Sequence, residues 1–209
     1  MNRRSFLEKL SVGGMGFCLG FSDIFDSSYF FRVSKIYDSV VKDYSVDFGD
    51  RVLILDGSKN KMYLVRKGLD KLFIDGDYLV STAKNGFGNS DGSEKTPRGV
   101  HRIIQKIGDD ELSGTVFVGG KSLGRIAKIT KDDNDLNKSY ITSRILRLGG
   151  VEESNLNTSK RGIFIHGTSR EGSLGKSYSH GCIRMGNSDI ISLYDLVDVG
   201  TYLNILEKI

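Results

Sequence analysis

Short β-rich runs separated by turn residues recur along most of this chain, and this pattern limits the folds available to it. Glycine is abundant, at 26 residues, and proline occurs once, at Pro97. Glycine-containing turns between short apolar runs are typical of antiparallel strands. The strand candidates are residues 51–55, 61–66, 78–82, 99–104, 115–118, 141–148, 162–166 and 201–206. The first two flank the turn-forming sequence Asp56-Gly57-Ser58-Lys59-Asn60, which predicts a β-hairpin.

One segment near the C-terminus has the periodicity of a helix instead. Asn187 or Ser188 is a suitable N-cap, and Gly200 is a suitable residue to end the segment. The apolar positions that fall on one helical face are Ile190, Leu193, Tyr194 and Val197. The predicted fold class is therefore mainly β, with one clear helix near the C-terminus.

The first residues have the composition of an export signal. Arg3 and Arg4 are paired, and a modestly apolar, glycine-rich stretch follows over residues 10–21. This arrangement is typical of twin-arginine signals. We expect residues 1–22 to be the signal, residues 23–46 a linker or short helix, and residues 47–209 the folded domain. The alternative for the first segment is an amphipathic helix.

Composition and charge exclude some classes of function. The formal net charge is +4 over 209 residues, which is too small an excess to indicate nucleic-acid binding. It suits an anionic surface such as a cell-wall polymer. No run approaches the roughly 20 apolar residues of a membrane-spanning helix.

The cysteine content points to chemistry. The chain has two cysteines, Cys18 and Cys182. Removal of the signal leaves Cys182 without an intramolecular disulfide partner in an oxidising compartment, where a lone thiol is a liability unless it reacts. The alternative is a buried, inert cysteine that packs as a small apolar residue.

The neighbours of Cys182 favour the reactive interpretation. Ile165-His166-Gly167-Thr168 is followed, after a polar loop, by Ser179-His180-Gly181-Cys182-Ile183-Arg184-Met185. A thiol attacks as the thiolate, so it needs a base within reach. His166 ends a predicted strand and the loop can return it to Cys182, whereas His180 is confined to the same turn as the thiol. His166 is therefore the better candidate base.

The residues around this pair have predicted supporting roles. Gly167 has no side chain, so we expect a backbone carbonyl to orient the imidazole. Gly181 allows a tight turn, and its N–H and that of Cys182 are candidates for an oxyanion hole. Arg184 adds positive potential that favours the thiolate, and it is also a candidate to bind a substrate carboxylate.

Other interpretations of the sequence are weaker. His166, His180 and Cys182 provide at most three zinc ligands, at a spacing that matches no common zinc pattern. Residues 119–122 resemble part of a phosphate-binding loop but follow a predicted strand, and residues 132–135 lack the rest of a calcium-binding loop. For His101 we favour a structural role.

The sequence resembles the catalytic domain of the L,D-transpeptidases, the YkuD type. The resemblance rests on Ser179–Met185 preceded by Ile165–Thr168, a combination in which several nearly contiguous positions must agree. Upstream, Lys95–His101 resembles the family's Thr-Pro-x-Gly strand, residues 141–148 resemble its next core strand, and residues 86–88 resemble its glycine turn. The similarity extends over residues 47–206.

The resemblance implies a β-sandwich-like fold and a cysteine-dependent acyl transfer on peptidoglycan. Cys182 would attack a stem tetrapeptide and release D-alanine, and the amine of another stem, or of a wall-anchored protein, would take the acyl group. His180, Ser179 and Arg184 would shape the site, Thr168 is a candidate for substrate contact, and no cofactor or metal is implied. The alternatives are an L,D-carboxypeptidase or other thiol hydrolase, and a catalytically silent wall-binding module. We expect an exported, periplasmic protein.

Overall fold

The computed structural model describes residues 27–47, 49–69, 71–132 and 139–209 of the chain. The predicted signal, residues 1–22, lies outside the described residues. Two α-helices are described, α1 (Ser27–Tyr44) and α2 (Asn187–Leu196). The strands are β1 (Val52–Asp56), β2 (Lys61–Lys67), β3 (Leu72–Ser81), β4 (Gly99–Ile107), β5 (Thr115–Val118), β6 (Lys121–Ile126), β7 (Ile141–Gly150), β8 (Phe164–Thr168), β9 (Ile183–Met185) and β10 (Tyr202–Leu206).

The strands form one sheet that closes on itself. Their order is β4-β10-β1-β2-β3-β9-β8-β7-β5-β6, and β4 also pairs with β7. Eight strands therefore make a closed ring, from which β5 and β6 extend as a hairpin. Most pairs are antiparallel, while β1–β10 and β8–β9 are parallel. The mainly β fold with a helix near the C-terminus, predicted from the sequence, is confirmed.

The turn between β1 and β2 shows why local sequence was enough to predict the first hairpin. Asn60 adopts a positive φ of 48°, a conformation that asparagine tolerates better than most residues. Its N–H donates to the carbonyl of Gly57 at 3.2 Å. The register that follows pairs Asp56 with Lys61 and Val52 with Val65.

The main core lies inside the ring, where opposite walls pack face to face. It is built from alternating aliphatic positions of the strands together with one face of α2. Its fully buried members include Leu53, Leu55, Leu64, Val80, Ile103, Leu146, Leu148, Ile165, Ile183, Ile190 and Leu193. Burial of such side chains contributes about 1.5–3 kcal/mol each, which makes this cluster the principal source of stability.

A second core lies on the outer face of the sheet, under α1. The buried residues of α1 recur at helical spacing: Tyr29, Val33, Tyr37 and Val40. They pack on the outward-facing residues of β1 and β2, which include Val52, Ile54, Tyr63 and Val65. The hydroxyl of Tyr29 also donates to the buried carboxylate of Asp56 at 2.9 Å. In the segment 23–46, for which the sequence left a linker or a short helix open, residues 27–44 form this 18-residue helix.

Two strands were not predicted. β6 has no buried position, and β9 has only three residues. Residues 119–120, which resemble part of a phosphate-binding loop, form the turn between β5 and β6. Of the acidic stretch 132–135, residues 133–135 lie outside the described residues.

Candidate active site

Parallel pairing of β8 and β9 brings the two motifs of the sequence together. The register sets Ile165 opposite Ile183 and His166 opposite Arg184. Because side chains alternate along a strand, and both isoleucines face the core, His166 and Arg184 lie on the other face of the sheet. Cys182 comes directly before β9, two residues from Arg184, and its sulfur contacts the backbone around Gly162 and Phe164.

A tight turn presents the cysteine. Gly181 has a φ of +123°, which an L side chain rarely adopts. A Cβ at this position would lie 3.0 Å from the Cδ1 of Ile163 and 3.4 Å from the carbonyl oxygen of Lys95. The hydroxyl of Ser179 closes the turn, donating to the carbonyl of Cys182 at 2.5 Å and accepting the N–H of Gly181 at 3.2 Å.

The segment of residues 82–98, called here the bracing loop, holds this turn from outside. The N–H of Ser179 donates to the carbonyl of Thr82, and the N–H of Lys84 donates to the carbonyl of Ser179. The hydroxyl of Thr96 donates to the carbonyl of Gly181 at 3.1 Å. The turn of residues 179–182, called here the cysteine turn, is therefore fixed by hydrogen bonds from both ends of the bracing loop.

The imidazole of His166 is held in one tautomer. Its Nδ1 lies 2.7 Å from the carbonyl oxygen of Gly167, as expected from the absence of a side chain on that residue. A carbonyl only accepts, so Nδ1 carries the proton and Nε2 is left as the basic atom. Burial lowers the pKa of His166 to about 4, with a further lowering by the charge of Arg184. The ring is therefore neutral at ordinary pH.

The environment of the Cys182 sulfur combines burial with favourable charges. The thiol donates to the carbonyl of Gly162 at 3.5 Å. Burial raises the pKa of Cys182, while a hydrogen bond from the backbone of Phe164 and the charges of Arg184 and Arg161 lower it. Because the pKa of the cysteine is raised and that of His166 is lowered, the pair rests as a neutral thiol and a neutral imidazole.

Arg184 is a buried cation with spare hydrogen-bonding capacity. Its exposed fraction is 8%. Its Nη1 has no hydrogen-bond partner within the part of the chain that the structure describes. A buried guanidinium with an unused donor is suited to an anionic group such as a carboxylate.

The structure gives the surroundings of three of the predicted supporting residues. Thr168 is fully buried and its hydroxyl accepts the N–H of Arg170 at 3.2 Å, so this side chain holds the loop, and its contact with a substrate stays a prediction. The N–H of Gly181 is already donated to Ser179, which leaves the N–H of Cys182 as the candidate oxyanion donor. His180 is exposed, as its place in the turn suggested.

His101 has the structural role that the sequence favoured. It is fully buried, its Nδ1 lies 2.9 Å from the carbonyl of Gly99, and its Nε2 lies 3.1 Å from the hydroxyl of Thr158. Burial lowers its pKa to about 4.

Sequence reasoning missed three residues that shape the site, namely Thr96, Arg161 and Asn187. Asn187 accepts hydrogen bonds from Thr142 at 2.7 Å and Ser143 at 2.5 Å, behind the strand that carries His166. The sequence indicates Asn187 only as a candidate helix cap. None of the three stands in a local pattern that indicates its contacts, because each acts on residues distant in the chain.

The structure also bears on metal binding and membrane insertion. Within residues 27–47, 49–69, 71–132 and 139–209, no three His, Cys, Asp or Glu side chains are grouped as metal ligands. In the same ranges, no helix has both the length and the apolar character needed to span a bilayer.

The family model of the L,D-transpeptidase catalytic domain, YkuD, matches residues 50–205. This chain belongs to that family. The Bacillus subtilis protein YqjB, named as an L,D-transpeptidase, is 29% identical over 153 residues, which are 73% of this chain and 69% of YqjB. YkuD of the same organism, also named as one, is 48% identical over 67 residues, or 32% of this chain and 41% of YkuD.

A solved structure of L,D-transpeptidase 3 from Mycobacterium tuberculosis, in complex with a faropenem-derived adduct, is similar to this chain at 18% identity and a TM-score of 0.46. The alignment covers 76% of this chain and 61% of the mycobacterial chain.

Proposed function

We propose that this protein is a peptidoglycan L,D-transpeptidase in which Cys182 is the nucleophile and His166 is its general base. The observation that carries the proposal is the tautomer of His166. Its Nδ1 proton is committed to the carbonyl of Gly167, so Nε2 is available to accept a proton on the sheet face shared with Arg184. Membership in the family supplies the class of reaction.

The first half-reaction forms an acyl-enzyme. Nε2 of His166 takes the thiol proton as the Cys182 sulfur attacks the carbonyl between the third residue and the terminal D-alanine of a stem tetrapeptide. The oxygen becomes negative in the tetrahedral intermediate, where the N–H of Cys182 is the candidate donor. The C–N bond then breaks, and the imidazolium returns its proton to the departing D-alanine amine.

The second half-reaction transfers the acyl group. The amine of a second stem attacks the thioester carbonyl and His166 takes the proton released from that amine. The C–S bond then breaks as the new amide forms, and the imidazolium returns the proton to the Cys182 sulfur, which regenerates the thiol. A wall-anchored protein with an exposed amine is an alternative acceptor. Arg184, with its unused Nη1 donor, is the residue best suited to bind a carboxylate of the stem peptide.

The proposed location follows from the sequence. The paired Arg3 and Arg4 before an apolar stretch favour export through the twin-arginine route, with a cleavage near Ser22. The periplasm is where a stem-peptide substrate is available. Detection of the chain in a periplasmic fraction, and its loss from that fraction in an Arg3→Lys, Arg4→Lys variant, tests this part of the proposal.

The activity is tested with disaccharide-tetrapeptide substrates and mass spectrometry of the products. We expect cross-linked dimers and a thioester adduct on the intact protein, both of which are absent in Cys182→Ala. His166→Gln should retain the fold and lose the adduct. Release of D-alanine without dimers would reassign the protein as an L,D-carboxypeptidase on the same pair. Unchanged peptides that nevertheless bind would favour a silent wall-binding module.

A further inference from the structure

Arg161 is a partly buried cation in the turn that leads into β8. Its guanidinium donates to three acceptors, the carbonyl of Gly88 at 3.1 Å, the hydroxyl of Ser93 at 3.4 Å and the carbonyl of Lys95 at 2.5 Å. All three acceptors belong to the bracing loop. One side chain therefore ties three points of this loop to the strand that carries His166.

Arg161 acts on the backbone at two places next to the cysteine. The carbonyl oxygen of Lys95, which Arg161 binds, lies 3.4 Å from the position of a Cβ on Gly181. The carbonyl of Gly162, the next residue after Arg161, accepts the thiol of Cys182 at 3.5 Å. Displacement of Arg161 would therefore disturb both the turn before the sulfur and the backbone beneath it.

The interaction between Arg161 and Cys182 is also electrostatic, and it is reciprocal. The charge of Arg161 lowers the pKa of Cys182, and the thiolate raises the pKa of Arg161. Burial lowers the pKa of Arg161, but an arginine remains a cation in a protein.

Other charged or titratable residues lie on the elements next to the cysteine. Arg184 on β9 acts on the thiol, and Asp91 on the bracing loop acts on Arg161. His166 lies on β8, His180 adjoins Gly181 in the turn, and the backbone of Glu94 and Lys95 approaches Gly181. Asp91 is itself bound by Asn157 at 2.8 Å and Lys160 at 3.6 Å. Arg161 and Arg184 are the two cations whose charge acts on the thiol.

We propose that Arg161 is a positioning residue of the active site, which holds the bracing loop against the cysteine turn and stabilises negative charge on the Cys182 sulfur. The inference rests on the proposed role of Cys182 as the nucleophile. The charges of both arginines favour the thiolate, but their hydrogen bonds give them different tasks. Arg184 has an unused donor for a substrate anion, whereas the three hydrogen bonds of Arg161 all go to the protein and its charge serves the thiolate.

The test measures ionisation of the thiol without any peptidoglycan substrate. In the full chain with Cys18→Ser, which leaves one cysteine, the rate of alkylation by iodoacetamide is followed as a function of pH. We expect Arg161→Met to raise the midpoint by about one pH unit, which is about tenfold slower alkylation below the midpoint. Arg161→Lys keeps a positive charge and should shift the midpoint by less than half as much.

Arg147→Met is the matched control. Arg147 donates to the carbonyl of Ser159 at 3.4 Å, in the same turn, but its charge is not among those acting on Cys182. Its replacement should loosen the turn and leave the midpoint in place, with thermal unfolding used to verify that every variant is folded. An unchanged midpoint in folded Arg161→Met, or equal shifts in the Met and Lys variants, would overturn the proposal.

The readout separates this inference from the proposed function. If the wild-type protein fails to cross-link stem peptides but Arg161→Met shifts the alkylation midpoint, the reaction is wrong and the role of Arg161 stands. If cross-linking is observed and the midpoint does not move, the role of Arg161 is wrong and the reaction stands.

Discussion

The hydroxyl of Thr96 donates to the carbonyl of Gly181 at 3.1 Å, and it accepts the N–H of Ala83 at 2.9 Å. Thr96 is fully buried near the end of the bracing loop, while Ala83 lies near its start. A single hydroxyl thus closes the loop and joins it to the residue before Cys182. The bracing loop and the cysteine turn are thereby one structural unit.

Replacement of Thr96 by valine tests this unit. Valine has nearly the same shape, but it leaves the carbonyl of Gly181 and the N–H of Ala83 without their partner. Loss of a buried partner costs about 1–3 kcal/mol. We expect the free energy of unfolding in urea to fall by that amount and the rate of acyl-enzyme formation to fall with it. Thr201→Val, in an exposed turn, should change neither quantity appreciably.

Substitution of Gly181 by alanine should be more damaging than strain alone predicts. The φ of +123° disfavours any side chain, and a Cβ would also meet Ile163 at 3.0 Å. Gly200→Ala is the control, because its φ is +102° and nothing lies within 4 Å of the added Cβ. We expect Gly200→Ala to cost about 1 kcal/mol and keep activity. Gly181→Ala should cost more and abolish acyl-enzyme formation; equal effects would show that the contact is irrelevant.

The parts of the site that the sequence predicted lie within two short motifs that are close together in the chain. The spacing of the two motifs predicted that the loop returns one to the other, and the parallel pairing of β8 and β9 agrees with this. The carbonyl partner of the imidazole followed from the absence of a side chain on Gly167. Thr96 and Arg161 act across 85 and 66 residues of the chain, respectively. No periodicity or local composition records such contacts, so they required the fold.

The fold likewise contains some elements that local sequence patterns predict and others that they do not. Strands with buried residues and turn signals at their ends, such as β1 and β2, were predicted close to their observed bounds. β6 has no buried position, so no apolar alternation marks it, and β9 is too short to be distinguished from a loop. Helix α1 has its buried residues at helical spacing, but many polar and charged residues lie between them, and the sequence left a linker or a short helix open there. The packing of Tyr37 and its neighbours on the sheet shows which of the two forms.

We predict that Asn187 holds β8, the strand that carries His166, in place. Its amide donates to the carbonyl of Thr168 at 2.9 Å and to the carboxylate of Glu171 at 2.7 Å. Asn187→Asp keeps the shape but removes both donors and places a second carboxylate beside Glu171. We expect a loss of about 2–4 kcal/mol in the free energy of unfolding, together with slower acyl-enzyme formation.

The control for Asn187 is the next residue in the helix. Ser188 is exposed, so Ser188→Ala should leave both quantities close to those of the wild type. A stable, fully active Asn187→Asp protein would contradict the supporting role, whereas loss of stability with full activity would restrict that role to the fold.

The two buried histidines predict that the protein loses stability in mild acid. Burial lowers the pKa of His101 and of His166 from 6.5 to about 4. Between these values the unfolded chain binds more protons than the folded one, so stability is full above pH 6.5 and decreases as the pH falls towards 4. From about pH 7 to about pH 5, each histidine should remove about 2 kcal/mol from the free energy of unfolding.

Urea unfolding at several pH values between about 7 and 5 measures this loss of stability. Variants show how much of the loss comes from each histidine. His101→Gln removes one of the two groups, so the slope of stability against pH should fall to about half, whatever its effect at neutral pH. A free energy of unfolding that is the same at both ends of this range in the wild type would contradict the lowered pKa values, because it would mean that both buried imidazoles gain protons as readily in the folded chain as in the unfolded one.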